Sequence, residues 1–242
     1  MSLPAIFLAH PFAHRGLHDR AVGVIENSSA AFDAAVEAGY GIELDVQMSR
    51  DGVPVVFHDD MLDRLTSRRG PVADLTAQEL ETVALDGSTD TILPLPYVLE
   101  RIGGRVPVLV EIKDQGARDG FPAAVGHAIA AATGPIAVMS FNPSYIHGLE
   151  GLNAPRGLTT CAAEDYGSDL PAETRSRLAR IADWGPGLSF VSHDHRHLED
   201  SRIADLKAEG ASILCWTIRS KVDAGAALKL AHQITFEGFR PD

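Results

Sequence analysis

The stretch Gly41-Ile42-Glu43-Leu44-Asp45-Val46 sets two carboxylates inside an apolar run. As a strand it puts Glu43 and Asp45 on one face and Ile42, Leu44 and Val46 on the other. Two ionised acids on an otherwise buried strand repel each other and lose hydration unless something pairs with them. The simplest resolution is a bound divalent cation. A second apolar run, Val108-Leu109-Val110-Glu111-Ile112-Lys113, ends with Glu111 and Lys113 on one face. Three carboxylates from two strand ends make a hard-oxygen site suited to Mg²⁺ or Ca²⁺; pairing with Arg or Lys in a structural network is the alternative. Of the four lysines, Lys207 and Lys229 fall on predicted helices and Lys221 immediately precedes one, whereas Lys113 ends a buried strand. There it suits a point charge for a phosphate oxygen, against the plainer reading of a salt bridge to Glu111 or Asp114.

Two histidines extend the pattern. His14, in Ala13-His14-Arg15-Gly16, and His58, in Phe57-His58-Asp59, each follow an apolar stretch at a predicted strand end. On opposite sides of a metal-bound phosphate they would supply a base and an acid near neutral pH. Arg15 adds a fork able to hold a phosphate bidentately. Trp216, late in another apolar run, faces either the substrate or the core. His193, His195 and His197 alternate like a small metal site but are read as a solvated loop. Asn27-Ser28 precedes an Ala-rich amphipathic stretch and is read as an N-cap.

The elements that must position these residues alternate. Strands are predicted over 12–15, 41–48, 106–112, 136–140, 157–160, 188–192, 212–217 and 233–236, and helices over 28–38, 120–132, 143–149, 172–182, 200–209 and 222–230. Strand–helix alternation means βαβ units and a parallel sheet, and eight strands in 242 residues predict a TIM (β/α)₈ barrel, read as a single domain over 1–242. A doubly wound sheet is the competitor, but no G-x-G-x-x-G follows the first strand. Between Glu43 and Val108 the rhythm breaks. Asp51-Gly52 signals a hairpin into a further short strand at 53–58, and Thr76-Ala77-Gln78-Glu79 reads as a capping box. The second βα loop is therefore enlarged, with a small insertion over about 51–95.

Composition bounds the partners. Hydrophobic residues make up 45% and charged residues 22%, with a net charge of −12. An acidic surface argues against nucleic acid. No run of about 18 apolar residues predicts a membrane span. Two cysteines form no framework, and the first nine residues lack a basic leader region, so a cytoplasmic location is expected.

Together, His14-Arg15-Gly16, Glu26-Asn27, Glu43-Leu44-Asp45, Asp51-Gly52, His58-Asp59-x-x-Leu62-x-Arg64-x-Thr66, Glu111-Ile112-Lys113 and Leu214-Cys215-Trp216-Thr217 resemble the glycerophosphodiester phosphodiesterase family. The resemblance implies a TIM barrel that hydrolyses glycerophosphodiesters to sn-glycerol 3-phosphate and an alcohol with one divalent cation, Mg²⁺ or Ca²⁺. It implies His14 and His58 as the acid/base pair, Glu43, Asp45 and Glu111 as metal ligands, and Arg15 and Lys113 as phosphate contacts; Trp216 as a substrate contact rests on its place late in the strand alone. Phospholipase D-like cleavage of lysolipids would require an apolar lip, which the insertion lacks. A non-catalytic phosphate-binding barrel would be expected to have lost a histidine or an acid, and none is lost. The family usually ends on an Ile-Thr-Asp-x-Pro-like strand and a terminal helix; here the chain reads Ile234-Thr235-Phe236-Glu237-Gly238-Phe239-Arg240-Pro241. Apolar surface beside the first and last strands is therefore expected to need cover from the enlarged loops, from 3–8 or from a second copy in a homodimer.

Overall fold

The computed structural model describes residues 2–114, 120–162, 164–166 and 187–241. Eight parallel strands close on themselves: β1 (Phe12–His14), β2 (Gly41–Met48), then β4 (Val108–Ile112), β5 (Ile136–Ser140), β6 (Arg156–Thr160), β7 (Phe190–Asp194), β8 (Ser212–Ile218) and β9 (Gln233–Phe236), with β9 pairing back to β1. This is the predicted TIM barrel. The remaining strand, β3 (Pro54–Val56), runs antiparallel to β2 after the turn at Asp51-Gly52. Helices α1 (Ser29–Glu37), α2 (Ala77–Leu80), α3 (Leu95–Ile102), α4 (Phe121–Ala131), α5 (Pro143–His147), α6 (Ser201–Ala208) and α7 (Lys221–Ala227) lie in the connections. The helix predicted over 172–182 lies outside the described residues.

Among the described residues, the three largest apolar clusters organise the barrel and its insertion. The largest fills the layer between strands and helices, where Ile42, Leu44 and Val46 of β2 are buried in one cluster with Leu95, Val98, Leu99 and Ile102 of α3. That helix is not among the sequence-predicted ones. Its apolar positions follow helical spacing, but Pro94 and Pro96 at its start read as breakers, and at a helix N-terminus proline costs no hydrogen bond. A second cluster, including Val55, Phe57, Leu62, Leu80 and Ile92, gives the insertion its own small core. The Thr76 capping box opens α2 as predicted.

The third cluster lies inside the barrel at its N-terminal end, where Phe12, Leu109, Ala137, Met139, Phe190 and Leu214 meet Leu3 and Phe7. Glycines make room for the rings: a Cβ on Gly41 would lie 2.6 Å from the Phe12 ring, and one on Gly157 2.6 Å from Phe190. The N-terminal segment thus seals the barrel's floor rather than its side, tied by Leu3 N–H to Ser212 Oγ at 3.0 Å and by Gln233 Nε2–H to the Leu8 carbonyl at 3.1 Å. The outer face of β9 is closed differently. Phe236 is 1% exposed, edge-on to Tyr40 and to Phe239 at centroid distances of 4.9 and 5.8 Å. Tyr40 and Phe239 therefore cover Phe236 from within the chain.

Candidate active site

With the lower barrel filled by apolar side chains, the inward positions at the strands' C-terminal ends turn polar. Register sets them side by side: His14 of β1 pairs with Glu43 of β2, and Asp45 of β2 with Glu111 of β4. These four residues, with Arg15, His58, Lys113 and Trp216, line one cavity of about 450 Å³. Every predicted site residue is therefore brought together, including His58, which the insertion returns to the barrel mouth just after β3.

Glu43, Asp45 and Glu111 are buried, and one carboxylate oxygen of each lies within 4.8 Å of the others. Burial, then repulsion from Asp45 and Glu111, pushes the Glu43 carboxyl well above its ordinary range. Asp45 goes the other way. Burial opposes its ionisation, but Lys113, His58 and Arg15 together outweigh it and hold the carboxyl low. Lys113 Nζ sits 2.9 Å from Glu111 Oε1 and 3.5 Å from Asp45 Oδ1, so the ammonium stands as a cation among these acids. Despite burial its pKa rises, because Glu111 and Asp45 favour the charged form. The salt-bridge reading of Lys113 thus holds, and it leaves the ammonium at the cavity wall. Thr159 Oγ1 donates to Glu111 Oε2 at 3.2 Å, and Asn27 Nδ2–H donates to Asp45 Oδ2 at 3.0 Å. Asn27 is therefore not the cap; Ser28 caps α1 and Asn27, at φ 55°, orients an acid. An all-oxygen donor set with an excess of negative charge fits a hard divalent cation.

Arg15 follows β1 at φ 58°, and Gly16 at φ 82° passes so close to α1 that a Cβ would lie 2.8 Å from Ala31 Cβ. This turn aims the Arg15 N–H at Glu43 Oε2, 3.1 Å away. Its guanidinium bonds Glu26 through Nη1 at 2.6 Å. Its Nε lies 3.3 Å from Asp45 Oδ2 but, buried, makes no aligned hydrogen bond.

Each histidine has a carboxylate on Nδ1. His14 Nδ1 is 3.0 Å from Glu237 Oε2, while its Nε2 lies 3.9 Å from Glu43. His58 Nδ1 is 2.6 Å from Asp59 Oδ1, and its Nε2 accepts from Lys113 Nζ at 3.2 Å. Burial lowers the His58 pKa. Asp59 in turn receives two bonds from Arg64, which also reaches both oxygens of Glu26. A chain of alternating charges thus runs Asp59, Arg64, Glu26, Arg15, with His58 bonded to its first member.

On the cavity's other side, Trp216 donates from Nε1 to the Ser192 carbonyl at 3.0 Å and stacks edge-on with Phe141 at 5.6 Å. Buried hydroxyls of Ser192 and Thr235 line the same space without partners among the described residues. The predicted solvated loop around His193 is corrected: β7 runs on to Asp194, His193 is buried, and its Nδ1 lies 2.7 Å from Thr160 Oγ1. His195 reaches the cavity rim, while His197 lies 3.4 Å from Asp165. Asp194 is held by Arg196. Glu237, Arg219, Phe141, Ser192 and Asp194 escape sequence reasoning because each is ordinary in its local context; only the inward alternation of β7 could have flagged Ser192 and Asp194.

The model of the glycerophosphoryl diester phosphodiesterase family matches residues 14–239. YhdW of Bacillus subtilis (strain 168), assigned to the glycerophosphodiester phosphodiesterases, is 28% identical over 223 residues, 88% of this chain and 87% of that protein. The Oleispira antarctica phosphodiesterase solved with its product sn-glycerol 3-phosphate superposes with a TM-score of 0.76 at 24% identity, over 95% of this chain and 93% of that one. The glycerophosphodiester phosphodiesterase of Thermotoga maritima gives 0.73 at 21% identity, over 94% of each chain. At these identities the two structures establish a shared fold. Among the described residues no helix is long and apolar enough to cross a membrane.

Proposed function

The chain belongs to the glycerophosphoryl diester phosphodiesterase family and is a phosphodiesterase, and from that premise we propose that its cavity hydrolyses glycerophosphodiesters to sn-glycerol 3-phosphate and an alcohol, with His14 and His58 exchanging the protons. The observation that carries this reading is the placement of two imidazoles, each tied at Nδ1 to a carboxylate, around one buried three-acid cluster. In the free enzyme the carboxylates accept from Nδ1–H, so each histidine presents Nε2 to the cavity. One Nε2 takes the proton of the attacking oxygen as that oxygen bonds to phosphorus; the oxygen is water's, or the substrate's own 2-hydroxyl, in which case the cyclic phosphate formed is opened by water in a second step to give sn-glycerol 3-phosphate. The other, which must carry a proton on Nε2 as well and so act as the imidazolium, gives that proton to the alkoxide as the second P–O bond breaks. Lys113 and Arg15 oppose the charge that builds on the non-bridging oxygens.

Glu43, Asp45 and Glu111 would hold Mg²⁺ or Ca²⁺. When bound, such an ion supplies positive charge beside the phosphate and polarises oxygen. Lysolipid cleavage is not favoured: the exposed large apolar side chain of the insertion is Met61 alone among the described residues, too little for a lipid-binding lip. Incubating the enzyme with choline, ethanolamine, glycerol and inositol glycerophosphodiesters tests the reading. Release of sn-glycerol 3-phosphate from at least one is expected. Its absence from all, with divalent ions present, overturns the assignment.

A further inference from the structure

We propose that Glu237 is a positioning residue for His14: its carboxylate fixes the imidazole's orientation and tautomer so that Nε2, not Nδ1, meets the substrate. The inference rests on the proton-transfer role given to His14 above and extends it to a residue 223 positions away in the chain.

A carboxylate only accepts hydrogen bonds, so the Glu237 Oε2 at 3.0 Å from Nδ1 requires Nδ1 to carry the proton. The opposite ring nitrogen then faces the cavity on the Glu43 side. The same relation between His58 and Asp59 is built by adjacent residues, whereas Glu237 has to be delivered by the barrel's closure. The β8–β9 ladder pairs Leu214 with Gln233 and Cys215 with Ile234, then slips so that Ile218 faces Phe236. After the slip, Glu237 N–H donates to the Ile218 carbonyl at 2.9 Å, and Gly238 at φ 77° turns the chain away. Glu237 is thereby left at the rim beside β1. Arg219 Nη2, 2.9 Å from the same Oε2, restrains the carboxylate from the solvent side. The bond to His14 is also the main reason that the Glu237 carboxyl is held down at about 2, so the acceptor is ionised at any working pH.

A purely structural strap between the last and first strands would use the same contacts, so the test must see the imidazole itself. In long-range ¹H–¹⁵N spectra, with His14 assigned by its loss in His14→Gln, wild-type His14 should show the Nδ1–H tautomer, and Glu237→Ala should shift it toward Nε2–H. Turnover should follow: Glu237→Ala is expected to lower kcat by about 10²-fold with KM little changed. Glu237→Gln keeps an acceptor oxygen and should recover the tautomer and part of kcat. An Nε2–H tautomer in the wild type overturns the proposal. So does a folded Glu237→Ala whose kcat stays within about twofold of wild type. An enzyme inactive on every glycerophosphodiester would instead sink the reading of function, and the tautomer measurement would still decide this one.

Discussion

His14 reaches the cavity from the end of β1 and His58 from just after β3, and a carboxylate on Nδ1 leaves each to exchange a proton at Nε2. His14→Ala and His58→Ala should each lower kcat by about 10²–10⁴-fold, with thermal unfolding near that of wild type because both side chains stand at the mouth, outside the apolar layers. A single variant that turns over like the wild type removes its histidine from proton transfer. Asp59 carries a separate consequence. Two bonds from Arg64 and one from His58, against burial, lower its carboxyl from an ordinary 3.8 to about 2. A depressed folded pKa contributes stability that is present above the unfolded value and lost as pH falls through the folded one. Wild type should therefore exceed Asp59→Asn in urea midpoint by a constant margin above about pH 4, and that margin should shrink as pH falls from about 4 to about 2. A margin that does not change across this window would show that the network around Arg64 does not stabilise the ionised form. The two histidines and three acids were legible because each sits in an apolar run where a polar residue is anomalous. Glu237 was not: the sequence marks its stretch as a departure from the family's usual last strand, but nothing local pairs it with His14.

At the scale of elements, the barrel could be read from strand–helix alternation, and the insertion from the one interval that broke it. Two features escaped for local reasons. The prolines that start α3 masked its apolar stripe, and the polar end of β7 looked like loop because inward-facing Ser192 and Asp194 flank His193 on a strand lined by a cavity. The packing inside the barrel was not legible either, since the fit between Gly157 and Phe190 joins residues of two strands whose register no local pattern gives. That fit predicts a cost. A methyl at position 157 would lie 2.6 Å from a ring that is 0% exposed, so Gly157→Ala should lose about 1–3 kcal/mol in urea unfolding. Adding Phe190→Leu, which removes the clashing ring, should return part of the loss. A Gly157→Ala protein as stable as wild type would mean that the floor layer can shift freely, contrary to its closure by Leu3 and Phe7.

The whole molecule is acidic, with a net charge of −12, and an anionic diester must approach it. Long-range attraction is therefore not what concentrates the substrate; the sign has to be reversed inside the cavity. Lys113 and Arg15 are both largely committed to Glu111, Asp45 and Glu26, so these two cations are balanced before any phosphate arrives. A third positive charge among Glu43, Asp45 and Glu111 changes that balance. It would offset the burial and the repulsion that raise the Glu43 carboxyl and would leave the Lys113 ammonium able to turn toward a phosphate oxygen. Activity should accordingly disappear in EDTA and return with Mg²⁺ or Ca²⁺. Because the ion binds the folded state, the unfolding temperature should rise with its concentration, by the equivalent of about 2.7 kcal/mol at a hundredfold excess over Kd. Glu43→Gln and Asp45→Asn should weaken both effects together, since the same oxygens carry them. Full activity after exhaustive chelation would sink the metal and leave Lys113 with Arg15 to neutralise the phosphate; their substitution by Met and Gln should then abolish turnover with or without added ion.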